Sequence, residues 1–227
     1  MRYLSRNKLY EKAEPSVDAK KLYIFCEGQN TEIMYFKYFS GLSTSIDVIP
    51  IPNIEGKSDP TKLKENAMLV FQGDEDNPPK FELSPEYKDE VWFVIDTDRW
   101  NEGDKINILK QFCEEKHCNE NPWAVAQSNP SFELWLFYHF NSEKPLDSEI
   151  EKFNSFKEFV NSKIKGGFDN RTMPIELITA ITNSKINFEY ENDQPKVYST
   201  EVHNLGEIIF SFVNTQLQKA KDMHGAL

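Results

Sequence analysis

The sequence predicts an α/β fold in which four parallel strands form a central sheet flanked by helices. Four short apolar runs are typical of buried strands, and they lie at residues 21–26, 46–51, 90–95 and 123–126. Between these runs, apolar residues recur at helical spacing. Strands that alternate with helices along a chain are typical of a parallel sheet with helices on its faces.

Residues 21–41 contain the first strand and the first helix. The apolar run at 21–26 ends at the segment Glu27-Gly28-Gln29-Asn30, which breaks the strand pattern. A helical pattern begins at Thr31, with Asn30 or Thr31 as its cap, and is predicted to end near Gly41.

The second strand and helix follow in the same order. Residues 46–51 predict a strand, a segment rich in Pro, Gly and Ser comes next, and residues 61–71 have helical spacing. Residues 73–87 are rich in Pro and acidic side chains, which predicts an exposed loop.

The clearest strand pattern is Glu-Val-Trp-Phe-Val-Ile at residues 90–95, which ends at Asp96-Thr97-Asp98. A third helix is predicted at 106–113 and a fourth strand at 123–126. After that strand, Asn129-Pro130 or Ser131 is a suitable start for another helix.

The second half of the chain is less regular and predicts a helical extension. Residues 155–165 have a helical pattern, and residues 207–217 form an amphipathic segment expected to pack as a closing helix. We therefore expect a flexible arm at 1–20, a catalytic core at 21–140 and a mostly helical extension at 141–227 that packs on the core.

The composition is that of a folded protein without a membrane segment. Hydrophobic residues make up 39% of the 227 residues, and the polar opening segment lacks the apolar centre of a signal peptide. We therefore expect a cytoplasmic protein whose three cysteines are reduced. Cys113, His117 and Cys118 are not followed by a second Cys/His pair at zinc-site spacing. The net charge of −11 argues against nonspecific coating of nucleic acid but does not exclude a nuclease.

Three acidic residues follow two of the predicted strands. Glu27 comes directly after the first strand, and Asp96 and Asp98 come directly after the third. Ligands of parallel α/β sheets bind outside the carboxyl ends of the strands, so we expect these carboxylates at one edge. Their mutual repulsion requires cations, and oxygen ligands favour Mg²⁺ or Mn²⁺. The alternative is that they are solvated loop acids or helix caps.

Four further residues near these strand ends have two interpretations each. Glu133 is either a ligand of a second metal ion or a first-turn acid stabilised by the helix dipole. Glu32 is either a capping residue or a group that supports the ligands from outside. Arg99 either contacts a phosphate or pairs with the adjacent acids, and Asn129 either orients a ligand or caps a helix.

Four segments are similar to the successive blocks of the RloB-like family. These segments are CEGQNTEIMYFKYF, VWFVIDTDRW, AVAQSNPSFELWLFYHF and VYSTEVHNL. A Glu-Gly after the first strand and an Asp-x-Asp after the third also resemble the Toprim fold of topoisomerases, primases and several nucleases. The resemblance covers about residues 20–210 and implies a Toprim-like Rossmannoid domain.

The resemblance also implies roles for individual residues. Glu27 would be a metal ligand or a general acid/base, and Asp96 and Asp98 would be metal ligands. Toprim nucleases often use a lysine near the metals, and Lys165, in a modest basic cluster with Lys157, Lys163 and Arg171, is the candidate. His203 would lie near the site as a motif residue, although a lone histidine is often a structural hydrogen-bond former.

RloB-like proteins often lie near ATPase or restriction–modification genes and are regarded as anti-phage components. The resemblance therefore implies a Mg²⁺- or Mn²⁺-dependent nuclease that cleaves DNA or RNA, with tRNA among the candidates, and acts with a partner ATPase. A homo-oligomer is also considered, and a membrane partner is not expected. Two alternatives stay open: a non-catalytic sensor or binding partner of a defence ATPase, and an enzyme that hydrolyses or synthesises nucleotides. The chain contains no P-loop motif, so it is not itself expected to hydrolyse ATP.

Overall fold

The computed structural model of the chain describes residues 12–53, 59–97, 104–118 and 120–225. Two of the candidate site residues, Asp98 and Arg99, lie outside the described residues. Most of the predicted N-terminal arm, residues 1–11, also lies outside them.

Seven strands form two sheets in the described part of the chain. The strands are β1 (Lys20–Cys26), β2 (Ile46–Pro52), β3 (Glu90–Asp96), β4 (Trp123–Asn129), β5 (Tyr190–Glu191), β6 (Gln194–Pro195) and β7 (Ser199–Thr200). The central sheet has the order β2-β1-β3-β4-β7, and β5 pairs with β6 in a separate hairpin. Strands β1 to β4 pair in parallel, which confirms the predicted α/β fold. The prediction of four strands is corrected to five, because β7 adds to β4 in the antiparallel direction.

Eight α-helices lie in the described part of the chain. They are α1 (Thr31–Lys37), α2 (Pro60–Gln72), α3 (Lys105–Lys116), α4 (Glu133–Phe137), α5 (Asp147–Ile150), α6 (Phe156–Lys163), α7 (Leu177–Ile186) and α8 (Val202–Gly225), with a 3-10 turn at Met173–Glu176. None of these helices, in the part of the chain that the structure describes, has the length and apolarity needed to cross a membrane.

Two helix boundaries differ from the sequence prediction. Helix α1 ends at Lys37 rather than near Gly41, because the amides of Tyr38 and Phe39 donate to carbonyls three residues back, in tighter turns. Helix α8 begins at Val202 rather than at residue 207, so the closing helix starts directly after β7.

The strands are buried on both faces, which explains their nearly continuous apolar sequences. One face, which includes Leu22 and Ile24 of β1, packs against α1, α4, α7 and α8. The other face, which includes Tyr23 and Phe25, packs against α2 and α3. A third cluster joins α4 to α6.

The segments on either side of the predicted core also pack against it. The amide of Ala13 donates to the carbonyl of Gly41, and the amide of Ser16 donates to that of Thr44, each over 2.9 Å. At the other end of the chain, Leu205 and Ile209 of α8 belong to the same apolar cluster as β1 and β3.

Buried polar groups fix the ends of β3 and β4. The Thr97 hydroxyl donates to the carbonyl of Ser128 over 2.9 Å and accepts a 2.8 Å hydrogen bond from the Gln127 side chain. The hydroxyl groups of Ser128 and Thr200 lie 2.8 Å apart, which ties β4 to β7. Because buried polar groups are costly to leave unpaired, this network holds the carboxyl edge of the sheet in one arrangement.

Candidate functional site

The carboxyl edge of the sheet brings Glu27 and Asp96 together. Glu27 follows β1, and its amide donates to the Val94 carbonyl over 3.0 Å. Its carboxylate Oε2 accepts the amide proton of Asp96, the last residue of β3, over 2.9 Å. Glu27 is 7% exposed, so its carboxylate is held close to the backbone of the neighbouring strand.

The segment after β4 adds a third carboxylate. Asp96 Oδ1 accepts a 2.8 Å hydrogen bond from the amide of Phe132, which precedes α4. Glu133 is the first residue of α4, and its Oε2 accepts a hydrogen bond from the Ser131 hydroxyl over 2.8 Å. The segment 131–133 therefore binds the Asp96 carboxylate through the Phe132 amide and holds the Glu133 carboxylate through the Ser131 hydroxyl.

Glu32, in the first turn of α1, supplies a fourth carboxylate. It is 7% exposed, and its Oε1 accepts the amide proton of Gly28 over 3.2 Å. A Cβ atom at Gly28 would lie 2.1 Å from Glu32 Oε2, so only glycine leaves room for this carboxylate. We call Glu27, Glu32, Asp96 and Glu133 the acid cluster.

The charges of the acid cluster act on one another. Burial raises the pKa of the Asp96 carboxyl well above its ordinary value, and the negative charges of Glu27, Glu32 and Glu133 raise it further. The amide of Phe132 opposes this rise. Burial also raises the pKa of Glu32, although hydrogen bonds from its own amide and that of Gly28 act in the opposite direction. Ionising Asp96 in this setting is unfavourable unless a cation balances the charge.

The acid cluster does not by itself form a metal-binding group. Within residues 12–53, 59–97, 104–118 and 120–225, no set of three or more His, Cys, Asp and Glu side chains is arranged to hold a metal ion. Asp98, the expected partner of Asp96, lies outside these ranges. The predicted Mg²⁺ or Mn²⁺ site therefore stays a prediction.

A lysine lies beside the acid cluster. The Nζ atom of Lys157 in α6 lies 3.4 Å from Glu133 Oε1, and its side chain is 61% exposed. Its positive charge also opposes the rise in the pKa of Glu32. Lys165, the lysine singled out from the sequence, lies exposed just beyond the end of α6. Among the described contacts, none joins Lys165 to the acid cluster.

Asn129 and His203 each contact groups outside the acid cluster. The Asn129 side chain donates to the Pro195 carbonyl over 2.9 Å, which joins β4 to the β5–β6 hairpin. His203 is buried against Phe188, with ring centroids 5.1 Å apart, and burial lowers the pKa of its imidazole. The charged groups that influence His203 are Glu207 and Lys185.

The family model described as RloB-like protein matches residues 22–209. The chain belongs to the RloB-like protein family. No curated protein and no solved structure matches it. The matched range of the RloB-like chain contains the whole acid cluster together with α6, so the likeness seen in the four sequence blocks is confirmed for the family.

Two site residues of this RloB-like chain were not predicted from the sequence as metal ligands or catalytic groups. Glu32 was interpreted as either a capping or a supporting residue, and in the structure its charge raises the pKa of Asp96 while the charge of Glu133 raises its own pKa. Lys157 was one of several lysines on a predicted helix. The signal for Glu32 was available, because an acid in the first turn after a strand-end Glu-Gly lies at the same sheet edge. No pattern distinguished Lys157, because its position depends on how α6 packs.

Proposed function

We propose that this RloB-like protein is a cytoplasmic, metal-dependent nuclease that hydrolyses phosphodiester bonds in DNA or RNA, including tRNA as a candidate substrate. The observation that carries the proposal is the position of Asp96, at the carboxyl edge of a parallel sheet among three other carboxylates. Four acids at this edge create a strong demand for cations, and the usual ligand site of such sheets lies there.

The proposed metal ligands are Glu27, Asp96, Asp98 and Glu133, with Glu32 next to them. All would offer carboxylate oxygens, which suit Mg²⁺ or Mn²⁺. When bound, such ions lower the pKa of water and neutralise charge on a phosphate. Glu27 would hold or accept a proton at its carboxylate.

Lys157 would contact the substrate phosphate. Its ammonium group already lies beside Glu133, and its exposed side chain is free to turn toward a polyanion entering from solvent. A surface ion pair of this kind is worth little, so exchanging the carboxylate for a phosphate oxygen costs about 1 kcal/mol or less.

We also propose that the nuclease acts as an effector of prokaryotic anti-phage defence with a partner ATPase. Membership of the RloB-like family is what supports this part of the proposal. Co-expression of the tagged chain with a candidate partner ATPase, followed by purification under native conditions and phage challenge of the same cells, tests the partnership. Loss of phage protection when either component is omitted is the expected result, and full protection by the chain alone would contradict it.

The nuclease activity is tested with the purified full-length chain on DNA, RNA and tRNA. Cleavage should require Mg²⁺ or Mn²⁺ and should be abolished in Asp96→Ala. Asp47→Asn is the matched control, because Asp47 is a partly buried strand carboxylate whose pKa burial also raises, but it lies at the amino-terminal half of β2. Cleavage that persists in Asp96→Ala, or that does not need a metal ion, would reject the mechanism.

A second candidate function is a non-catalytic sensor that uses the same surface to bind a defence ATPase. Two observations favour it: the net charge of −11, and the absence of a preformed metal-binding group in the described ranges. A chain in which Glu27, Asp96 and Asp98 are all replaced by alanine would then still protect cells. Loss of protection by that variant, with the folded structure retained, would exclude the sensor.

A further inference from the structure

A cavity of about 730 Å³ opens beside the carboxyl end of β4. It is lined by Asn129, Lys144, Glu189, Glu191, Asn192, Gln194, Pro195, Lys196 and Val197. Its volume falls within the range of about 300–1,000 Å³ that is typical of small-ligand sites. We call it the amide cavity, because three of its wall residues carry side-chain amides.

The amide cavity is close to the acid cluster along the sheet. Ser128 is the Cα partner of Asp96 across the β3–β4 ladder, and Asn129 is the next residue. With neighbouring strands about 4.8 Å apart and a rise of about 3.3 Å per residue, the Cα atoms of Asp96 and Asn129 are roughly 6 Å apart. Ser131, two residues after Asn129, contacts Glu133 of the acid cluster.

The charges that line the amide cavity balance one another. Lys144 pairs with Glu189, and Lys196 lies 3.4 Å from Glu189 and 3.8 Å from Glu191. A wall with two cations and two anions is poorly suited to a phosphate. Amides and carboxylates are, by contrast, the groups that form hydrogen bonds with the edges of nucleobases.

An aromatic pair lies next in sequence to the amide cavity and packs against the apolar cluster that joins α4 to α6. Tyr198 follows the wall residue Val197, and its ring is nearly parallel to that of Phe156, with centroids 6.1 Å apart and 19° between the planes. The backbone of Tyr198 has a φ of +63° and is held by a hydrogen bond from its amide to the Asn129 carbonyl. Such a conformation is costly for an aromatic residue and persists where the surroundings fix it. Phe156 is followed by Lys157, which contacts the acid cluster.

We propose that the amide cavity binds an unpaired nucleobase of the substrate, next to the phosphodiester bond that the acid cluster would cleave. The inference rests on the proposed nuclease function for the identity of the substrate, and it narrows that substrate to nucleic acid with a single-stranded or extruded nucleotide. The amides and carboxylates of the wall would form hydrogen bonds with the edge of the base.

The test measures binding rather than cleavage. Full-length Asp96→Asn protein is titrated into fluorescently labelled short homopolymers of single-stranded DNA and RNA and into a blunt duplex of the same length, with and without Mg²⁺. We expect single strands to bind at least about tenfold more tightly than the duplex, with at least one base preferred.

Two changes in the amide cavity test its role in this binding. Val197→Trp fills the cavity from a residue that is 56% exposed, and Asn192→Gly removes an amide at a φ of +50°, where glycine is not strained. Each should weaken single-strand binding about fivefold or more while leaving duplex binding unchanged. The matched control is Asn214→Ala, in a separate groove along α8, which should have no effect.

The possible outcomes separate this inference from the nuclease proposal. Equal affinity for single strands and duplex, unchanged binding in both cavity variants, or no binding in either buffer would overturn the inference. If the parent protein cleaves and both cavity variants cleave with the same base preference, the nuclease proposal is supported and the role of the amide cavity in base binding is rejected. If the protein binds one base selectively but never cleaves nucleic acid, base binding in the amide cavity is supported and nuclease activity is rejected. Melting curves of both variants should match that of the parent protein.

Discussion

Replacing Asp96 by asparagine should stabilise the metal-free protein. The pKa of Asp96 lies well above its ordinary value of 3.8, because the carboxyl is buried and faces other carboxylates. Near neutral pH the ionised form is therefore unfavourable in the folded state. Asparagine keeps an oxygen that can accept the Phe132 amide proton, and its own NH₂ group can donate to a neighbouring carboxylate.

The expected gain follows from the cost of a poorly compensated buried charge. That cost is several kcal/mol for a fully buried ion, and Asp96 as a residue keeps some solvent exposure at the end of β3, so we expect about 1–3 kcal/mol. For a chain of this size each kcal/mol raises Tm by about 2–4 °C. Asp96→Asn should therefore melt several degrees higher than the parent protein in EDTA at pH 7.5.

The sign of the pH dependence is fixed by the raised pKa. Between the pKa of the unfolded chain and that of the folded protein, only the folded state holds the Asp96 proton. The free energy of unfolding therefore falls as the pH rises through this interval, by about 1.4 kcal/mol per pH unit from this group. The stabilisation by Asp96→Asn should be absent near pH 4 and grow toward neutral pH.

Urea titrations and melting curves in EDTA, from pH 4.5 to pH 8, check this prediction. Asp169→Asn is a control of opposite sign, because Arg171 lowers the pKa of Asp169 to about 2. That substitution should destabilise the protein at neutral pH, with the effect lost as the pH falls toward 2. A Tm for Asp96→Asn that equals or falls below that of the parent protein at every pH would refute the electrostatic reasoning.

Three further substitutions test other contacts. Gly28→Ala should displace the Glu32 carboxylate and weaken Mn²⁺ binding, measured by calorimetry, because the new Cβ would lie 2.1 Å from Oε2; unchanged affinity would contradict the role of Glu32. Lys157→Ala should tighten Mn²⁺ binding about threefold at low salt, since it removes a cation from beside the acid cluster, and the effect should fade at high salt. Tyr35→Phe should lower the free energy of unfolding in urea by about 1–3 kcal/mol, because the buried His139 Nε2 would lose its donor; a smaller loss would mean that the ring relaxes to another partner.

The parts of the fold that long patterns describe could be predicted from the sequence. The four parallel strands each contain an apolar run, and burial on both faces requires such runs. Strand β7 could not be predicted, because it has only two residues, both polar, and exists through pairing with the end of β4. The start of α8 likewise follows from that pairing rather than from helical spacing.

The candidate site could be predicted where topology alone fixes a residue. Glu27 and Asp96 meet because both lie at the carboxyl ends of adjacent parallel strands. Lys157 could not be chosen over Lys165, because both lie at the predicted helix and only the packing of Phe159 and Val160 against α4 decides which lysine faces the acids. The spacing of apolar residues along a helix does not predict which neighbouring helix it packs against.

Strand β7 has a consequence for how the protein is made. The ribosome synthesises the strands with the acidic residues early, but the segment that closes the β4 edge and orders Ser128 comes more than seventy residues later in the chain, at Ser199–Thr200. A nascent polypeptide that has emerged only as far as the acids therefore has an open strand edge beside them. The edge of β4 beside Asp96 is therefore paired only after Ser199 and Thr200 have been synthesised.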